Sequence, residues 1–483
     1  MGGSAWGFAA QGAKLICQLG TTIILARILL PEHFGLVAIL ASFLAVFSHL
    51  RDLGIPTAMV QAESLEKPVT NTLFLISILL AILVAGATIV TGKVVSVYTS
   101  EPRIFAISFA MAGAIFFQAL EAVPVGLLRR NLKFREIGIR DSLIAGITFI
   151  LAVVLACSGF SYWALVLPMS IAGFISLLLS LHAARWLPSR NISTFAEAKG
   201  IIVYGGTLAL STIANRVIQG IDLMLLGRYI PLGELGYYSR AKSLMTGTLQ
   251  QALGPIAAVM IPVLSRLRND PDKFNNWVRK ISVLITLVAA PSSALISVNS
   301  SVIVQLLLGN SWSEAAPFFT VIALGIFLMS HGAYYYWILV ATGNPATLVK
   351  STWIGATITL VAVFVGLPWG GIGVALATML SGIFLRAPVL IHLINQTGKV
   401  EKGLLTRAYV RSVVEVVVWY LILYSMSVGC SQIFDFSEVM AAILLALIAL
   451  GFLAARVWLS KEGRELVLSL RGNIRENFSL RKR

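Results

Sequence analysis

Runs of about 20 apolar residues recur along the whole chain, each long enough as a helix to cross a bilayer, and the gaps between them are short and polar. Read this way, the sequence predicts about fourteen transmembrane helices. The first six are expected at residues 5–29, 34–60, 71–91, 104–128, 142–156 and 162–181. Six more follow at 201–229, 235–264, 281–298, 316–341, 351–367 and 372–394, and a last pair at 409–428 and 439–458.

Two of these helices interrupt the apolar pattern. In 201–229, Ser211, Asn215, Gln219 and Asp222 step by four, four and three and so form one stripe down one face, with Arg216 beside it. In 5–29, Gln11, Lys14, Gln18 and Thr21 step by three, four and three. Polar groups at membrane depth are costly, so both stripes are expected to face a wet cavity or other helices instead of lipid. The two helices are also related. A shift of about two hundred residues superposes Gln18 on Gln219, Leu25 on Leu226, Arg27 on Arg228, Gly35 on Gly236 and Ser42 on Ser243, and brings Lys14 onto Asn215 and Thr21 onto Asp222.

Six helices per half is an even number, which makes the repeats parallel. The expected fold is an all-α polytopic membrane protein, with two six-helix repeats forming two lobes around a central cavity and two extra C-terminal helices. The expected divisions are an N-lobe at 1–184, a linker at 185–200, a C-lobe at 201–396, the additional pair at 397–460 and a basic tail at 461–483. Thr194 and Glu197 have the spacing of a capping box that starts the central helix. Gly54 and Pro56 in the second span, and Gly254 and Pro255 in its counterpart, predict kinked or locally unwound helices at matching depth.

Composition agrees: 58% of residues are hydrophobic and only 12% charged, which excludes a soluble domain. The net charge of +16 invites a nucleic-acid reading until its distribution is followed. Alternate loops carry Lys67, the cluster Arg129, Arg130, Lys133, Arg135 and Arg140, and later Arg266, Arg268, Lys399, Lys402, Arg407 and Arg411. The opposite loops hold only Arg27, Lys93, Arg103, Arg228, Arg240 and Lys242. The positive-inside rule then puts both termini in the cytoplasm and leaves no charge that needs a nucleic-acid partner. Cys17, Cys157 and Cys430 sit in apolar segments and read as small packing residues, with no disulfide or metal implied. The start of the chain shows no basic region or cleavage signal of a removed leader.

No nucleophile elbow, phosphate loop or metal-ligand spacing is present, so no cofactor is expected, and the candidate chemistry is that of intramembrane charge. Arg216 stands near the midplane of its span, about fifteen residues in at 1.5 Å each, and is the leading anion-binding candidate, unless it pairs with Asp222 or with an acid on a neighbouring helix. Lys14 and Arg51 are further candidates that can instead snorkel to a membrane surface, and Gln18, Asn215 and Gln219 supply amides beside them. Glu121, Asp52 and Asp222 are the candidate proton or sodium sites, because a buried carboxylate titrates in a useful range. For Asp52 the alternative is a local ion pair. Glu415, one turn after Arg411, is expected to pair with it. Tyr334, Tyr335, Tyr336 and Trp337 are expected to form an aromatic belt.

The phrases LARILLPEHFGLVAI at 25–39, DLGIPTAMVQ at 52–61, GYYSRAKSL at 236–244, IPVLSRLRND at 261–270 and LLLGNSWSEAAPF at 306–318 resemble, in order, the polysaccharide transporters (Wzx-type flippases) of the MATE/oligosaccharidyl-lipid/polysaccharide flippase superfamily. The resemblance implies two six-helix bundles and alternating access. The implied substrate is an undecaprenyl-diphosphate-linked oligosaccharide bound for exopolysaccharide, capsule or O-antigen, in the cytoplasmic (inner) membrane of a bacterium. A proton or sodium gradient is the implied energy source, and glycosyltransferases and a polysaccharide polymerase are implied partners, with membrane lipids around the chain. The family offers no invariant catalytic signature, so the site residues rest on the physical reading alone. Two other readings stand beside it. A drug or organic-cation exporter of the same superfamily would want an acidic, aromatic cavity, and a membrane glycan polymerase or ligase would want a large outer loop.

Overall fold

The structure, a computed structural model, describes residues 2–45 and 47–433 and some positions between 439 and 451, with the side chains of 2–10, 207–218 and a few single positions left aside. The expected helix at 439–458 and the tail at 461–483 fall almost wholly outside the described residues.

The described residues are built from helices, and each expected span up to 409–428 falls on a helix or on a broken pair of helices. Among the described residues, 8 helices are long and apolar enough to cross a membrane, or 9 when the bent pair Leu232–Gly254 and Ile256–Leu267 is taken as one span. The difference from the expected fourteen has several sources: the second span is broken into short helices, the last expected span lies almost wholly outside the described residues, and two further features contribute. Ala346–Gln396 is a single apolar stretch that holds two expected spans. Gly2–Ile28 and Phe195–Tyr229, at 27 and 35 residues, have the length to cross but carry the polar stripes.

The chain divides into two compact units, Met1–Ser239 and Arg240–Arg483. This boundary lies beyond the repeat boundary expected at 185–200, because the linker is tied to the first unit. Asn71 Nδ2 donates to Ser189 Oγ and to the Asn191 carbonyl, each at 2.7 Å, and Ser193 N donates to Thr72 Oγ1 at 2.9 Å. Trp186 packs edge-on against Phe74, with ring centroids 5.4 Å apart. Thr194 is the N-cap of Phe195–Tyr229 as expected, but not as a reciprocal capping box. Its hydroxyl donates to Glu197 Oε1 at 2.7 Å, so the two side chains satisfy each other and leave the backbone N–H groups uncapped.

Inside the first unit, Arg103–Leu120 packs between Lys67–Thr99 and Trp163–Ala184, and Phe134–Cys157 packs against Gly2–Ile28. Helix Phe195–Tyr229 lies on Pro31–Leu44, and glycine sets how closely the neighbouring backbones approach. A Cβ on Gly35 would stand 2.0 Å from the Leu232 carbonyl oxygen, and one on Gly236 would stand 2.0 Å from that of Pro31. These are the two glycines that the repeat superposes, and each must lack a Cβ because a backbone carbonyl of the facing segment occupies that place.

In the second unit Pro271–Val298 packs between Ala316–Thr342 and Leu404–Ile433. Asp270 caps the first of these, accepting from Lys273 N at 3.2 Å with Pro271 in the first turn. The aromatic run corrects an expectation. Tyr334, Tyr335 and Trp337 are buried in the core of this unit, and only Tyr336 is exposed, so the run is not a belt. The Tyr334 hydroxyl donates to the Val278 carbonyl at 2.8 Å, and this partner on another helix is what lets it be buried. Cys157 is exposed and Cys17 half-buried, so Cys157 is not the packing residue expected. Gly382–Arg386 forms a π turn ahead of Pro388. A π turn would pair the Ile383 carbonyl with the N–H of residue 388, which proline lacks; the Tyr409 hydroxyl takes its place at 3.0 Å.

Both expected bends are present. The second span leaves the helix at 51–54, where Leu53 and Gly54 have φ of 43° and 62°. Its counterpart bends by 48° between Gly254 and Ile256.

Candidate functional site

The break in the second span places the first candidate residues. Asp52 Oδ1 accepts from Gly54 N at 3.1 Å and closes the turn, and Gly54 meets Gly205 so closely that a Cβ on it would lie 2.7 Å from the Gly205 carbonyl oxygen. Asp52 therefore has a local backbone role, and no ion pair with Arg51 forms among the described residues. Arg51 instead donates through Nη1 to Gln118 Oε1.

The fourth span is interrupted at Glu121. Pro124 has no N–H to give the Leu120 carbonyl, and the helix divides into Arg103–Leu120 and Ala122–Arg130. Glu121 Oε1 collects three donors at this break: Arg140 Nη1 at 2.6 Å and the hydroxyls of Ser176 and Ser180, each at 2.7 Å. Arg140 also donates through Nη2 to Asp141 Oδ1 at 2.5 Å and through Nη1 to Ser180 Oγ at 3.0 Å. The side chains of Glu121 and Arg140 are each only 12% exposed. A buried carboxylate and guanidinium survive together because each meets the other and the remaining polar sites are hydrogen-bonded.

These groups line one cavity of about 600 Å³ inside the first unit. Arg51, Arg129 and Arg140 contribute cations to it, and Asp52 and Glu121 contribute acids. Arg140 already neutralises Glu121, so Arg51, Arg129 and Asp52 set its remaining charge, which is positive. The Arg129 guanidinium has no hydrogen bond or ion pair among the described residues, and the Arg51 guanidinium has a neutral amide as its hydrogen-bond partner. A cation in that condition, on a cavity lined by helices, is suited to an anion that brings hydrogen-bond acceptors.

Sequence reasoning placed Arg51, Asp52 and Glu121 here but treated Arg129 and Arg140 as loop charge, and it missed Gln118, Ser176 and Ser180. Arg140, Ile144 and Thr148 all face the cavity at steps of four along Phe134–Cys157. That spacing was the available signal. The rest of the basic cluster serves backbone ends: Arg130 Nη1 donates to the Met59 and Ala62 carbonyls at 2.7 and 2.5 Å, and Lys133 Nζ donates to the Ala183 carbonyl at 3.3 Å.

The other candidates are dispersed. Lys14 and Gln18 are exposed on Gly2–Ile28, and neither lines this cavity. Gln219 is exposed, while Asp222 is buried and accepts from the Tyr238 hydroxyl through Oδ2. Ser211, Asn215 and Arg216 have described backbone in Phe195–Tyr229 but side chains outside the described residues. In the second unit the expected pair is present, with Arg411 Nε donating to Glu415 Oε1 at 3.1 Å.

Known proteins share both sequence and fold with this chain. It is 22% identical over 75% of its length to a succinoglycan biosynthesis transport protein of Rhizobium meliloti, of which it covers 73%. It is 22% identical over 78% of its length to a lipopolysaccharide biosynthesis protein of Escherichia coli, of which it covers 77%. Its fold is like that of the lipid II flippase MurJ in an inward closed conformation, with a TM-score of 0.70 at 15% identity over 92% of this chain and 98% of that one. A multidrug resistance MATE family transporter of the MOP superfamily, inward-facing, gives a TM-score of 0.60 at 14% identity over 80% and 96%. Residues 24–317, more than half of the chain, match the family described as polysaccharide biosynthesis protein, and this multi-pass, all-α membrane protein belongs to that family.

Proposed function

We propose that this protein is a flippase that carries an undecaprenyl-diphosphate-linked oligosaccharide repeat unit across the cytoplasmic membrane of a bacterium by alternating access, for exopolysaccharide, capsule or O-antigen assembly. The observation that carries the reading is the pair of cations with no ion pair among the described residues, Arg51 and Arg129, on a cavity lined by the spanning helices. A diphosphate must shed water as the head group crosses, and arginines on the cavity replace that hydration with charge-assisted hydrogen bonds. Lys14, Arg216 and the amides Gln18, Asn215 and Gln219 extend the same role along the two polar helix faces. Relatives named for succinoglycan transport and lipopolysaccharide biosynthesis support the substrate class.

Transport is driven by a proton or cation gradient in this reading. Glu121 is its first coupling candidate, because one carboxylate at a helix break meets donors from two other helices; Asp222 and Asp52 follow. Both termini lie in the cytoplasm, where glycosyltransferases build the repeat unit, and a polymerase receives it on the other side. A cation exporter is disfavoured, since the acid deepest in the cavity is already neutralised by Arg140. The test is a strain lacking the gene. Lipid-linked repeat units should accumulate on the cytoplasmic face and polysaccharide export should stop, with both reversed by the wild-type chain. Unchanged export together with new drug sensitivity would overturn the reading in favour of the exporter.

A further inference from the structure

A second cavity, of about 320 Å³, lies wholly inside the second unit between Pro271–Val298 and the start of Leu404–Ile433. Its floor carries two hydroxyls already engaged with backbone carbonyls. Thr286 Oγ1 donates to the Ser282 carbonyl at 2.8 Å and lies 2.5 Å from Ser412 Oγ, and Ser412 Oγ donates to the Ala408 carbonyl at 2.6 Å. The rim carries three arginines. Arg279 is 3.5 Å from Glu401, and Arg411 is held by Glu415. Arg407 has no ion pair or hydrogen bond to its guanidinium among the described residues.

The loop ahead of the helix turns at a glycine beside that guanidinium. Gly403 has φ of 83°, a conformation that disfavours any side chain, and a Cβ on it would stand 3.7 Å from Arg407 Nε and Nη2. Asn275 fixes the loop by accepting from Glu401 N at 2.9 Å. Arg407 also lies in the first turn of its helix, where unpaired N–H groups favour an anion. Below it, Val410, Val414, Val417 and Leu421 are 55%, 54%, 51% and 58% exposed. From Arg407 these positions step by three, four, three and four, so one exposed helix face begins with a cation and continues as an apolar lane.

We propose that this face is a phospholipid site, with the headgroup phosphate on Arg407 between Arg279 and Arg411 and an acyl chain along Val410, Val414, Val417 and Leu421. A free anion would use the arginine and leave the lane idle, and a bare hydrocarbon would use the lane and leave the arginine idle; a glycerophospholipid uses both. The positive-inside rule places the head in the cytoplasmic leaflet. The site holds whatever the transported substrate is.

The test uses the full-length protein stripped of lipid in detergent, with phosphatidylglycerol, phosphatidylethanolamine, diacylglycerol and inorganic phosphate as probes and native mass spectrometry as the readout. Both phospholipids should be retained in preference to diacylglycerol, and Arg407→Ala should weaken their retention about tenfold, the loss of a charge-assisted contact. Arg407→Lys should lose less, and Lys350→Ala, at another exposed cation, should lose nothing. Melting temperatures before lipid addition should be equal for all four proteins. Equal retention by Arg407→Ala and Lys350→Ala would overturn the proposal. So would equal retention of diacylglycerol, which would mean acyl contact alone, or displacement of the lipid by millimolar phosphate, which would mean a free-anion site. If Arg407→Ala does not fold, Arg407→Gln carries the same expectations.

Discussion

The two units solve the problem of polar groups among membrane helices in different ways. The first buries full charge: Glu121 and Arg140, each 12% exposed, are locked together by Ser176, Ser180 and Asp141. The second keeps neutral groups in its core, with the cation of Arg240, whose Nε is shielded from solvent, at its first residue. Thr286, Ser412 and His331 share its interior, with His331 Nδ1 at 3.0 Å from the Phe327 carbonyl, and its ion pairs stand at exposed rims. Although the halves are related by sequence, the buried ion pair of the first unit lies on its polar cavity, and the core of the second is filled by hydroxyls and rings. A neutral interior can lose one hydrogen bond at modest cost, whereas a charged one cannot lose either partner.

That contrast can be broken by substitution. Arg140→Ala strands Glu121 and is expected to destabilise the protein by about 3 to 5 kcal/mol, seen as a sharp fall in expression and melting temperature. Recovery in the double variant Arg140→Ala with Glu121→Gln would sharpen the point, and a single variant as stable as wild type would break it. Ser412→Ala in the second unit removes one neutral link and should cost about 1 kcal/mol by the same melt, with transport retained. A loss as large as that of Arg140→Ala would erase the distinction.

The smallest effect belongs to a peripheral pair. Arg103 donates to both carboxylate oxygens of Glu101, at 2.7 and 2.9 Å, and these hydrogen bonds hold the Glu101 carboxyl below its usual range. The folded value is the lower one, so the stabilisation is present above the ordinary carboxylate range and is lost as the pH falls through the folded value. With Arg103 partly exposed it is worth less than about 1 kcal/mol. Glu101→Gln should therefore lower the melting temperature slightly at neutral pH and flatten its decline in acid. An unchanged acid slope would contradict the assignment.

Much of this was legible in the sequence because it is local. Apolar run length gives the spans, and Gly54 with Pro56 gives the break that positions Arg51. The repeat gives the Gly35 and Gly236 pair, although not that the two glycines would meet. The losses come where the deciding contact is distant in sequence. Arg140 looked like loop charge because hydropathy ends the apolar run at Ser142, while the helix itself begins at Phe134, and the acid it meets is nineteen positions away. Ser176 and Ser180 barely change hydropathy, so nothing local marked them. Tyr334 and Tyr335 read as a belt because the same composition serves a belt or a core, and only the distant Val278 carbonyl decides for Tyr334.

The most direct test of the central claim, that Arg51 and Arg129 receive the diphosphate, is the initial rate of translocation of a polyprenyl-diphosphate-linked saccharide in proteoliposomes. The proteins to compare are wild type, Arg51→Lys and the double variant Arg51→Ala with Arg129→Ala. Neither arginine neutralises a buried acid, so all three proteins should insert and melt alike. The account expects the double variant to lose at least about tenfold in rate, the loss of a charge-assisted phosphate contact, and Arg51→Lys to fall between, because lysine keeps the charge without the planar fork. A double variant that inserts normally and translocates at the wild-type rate would contradict it.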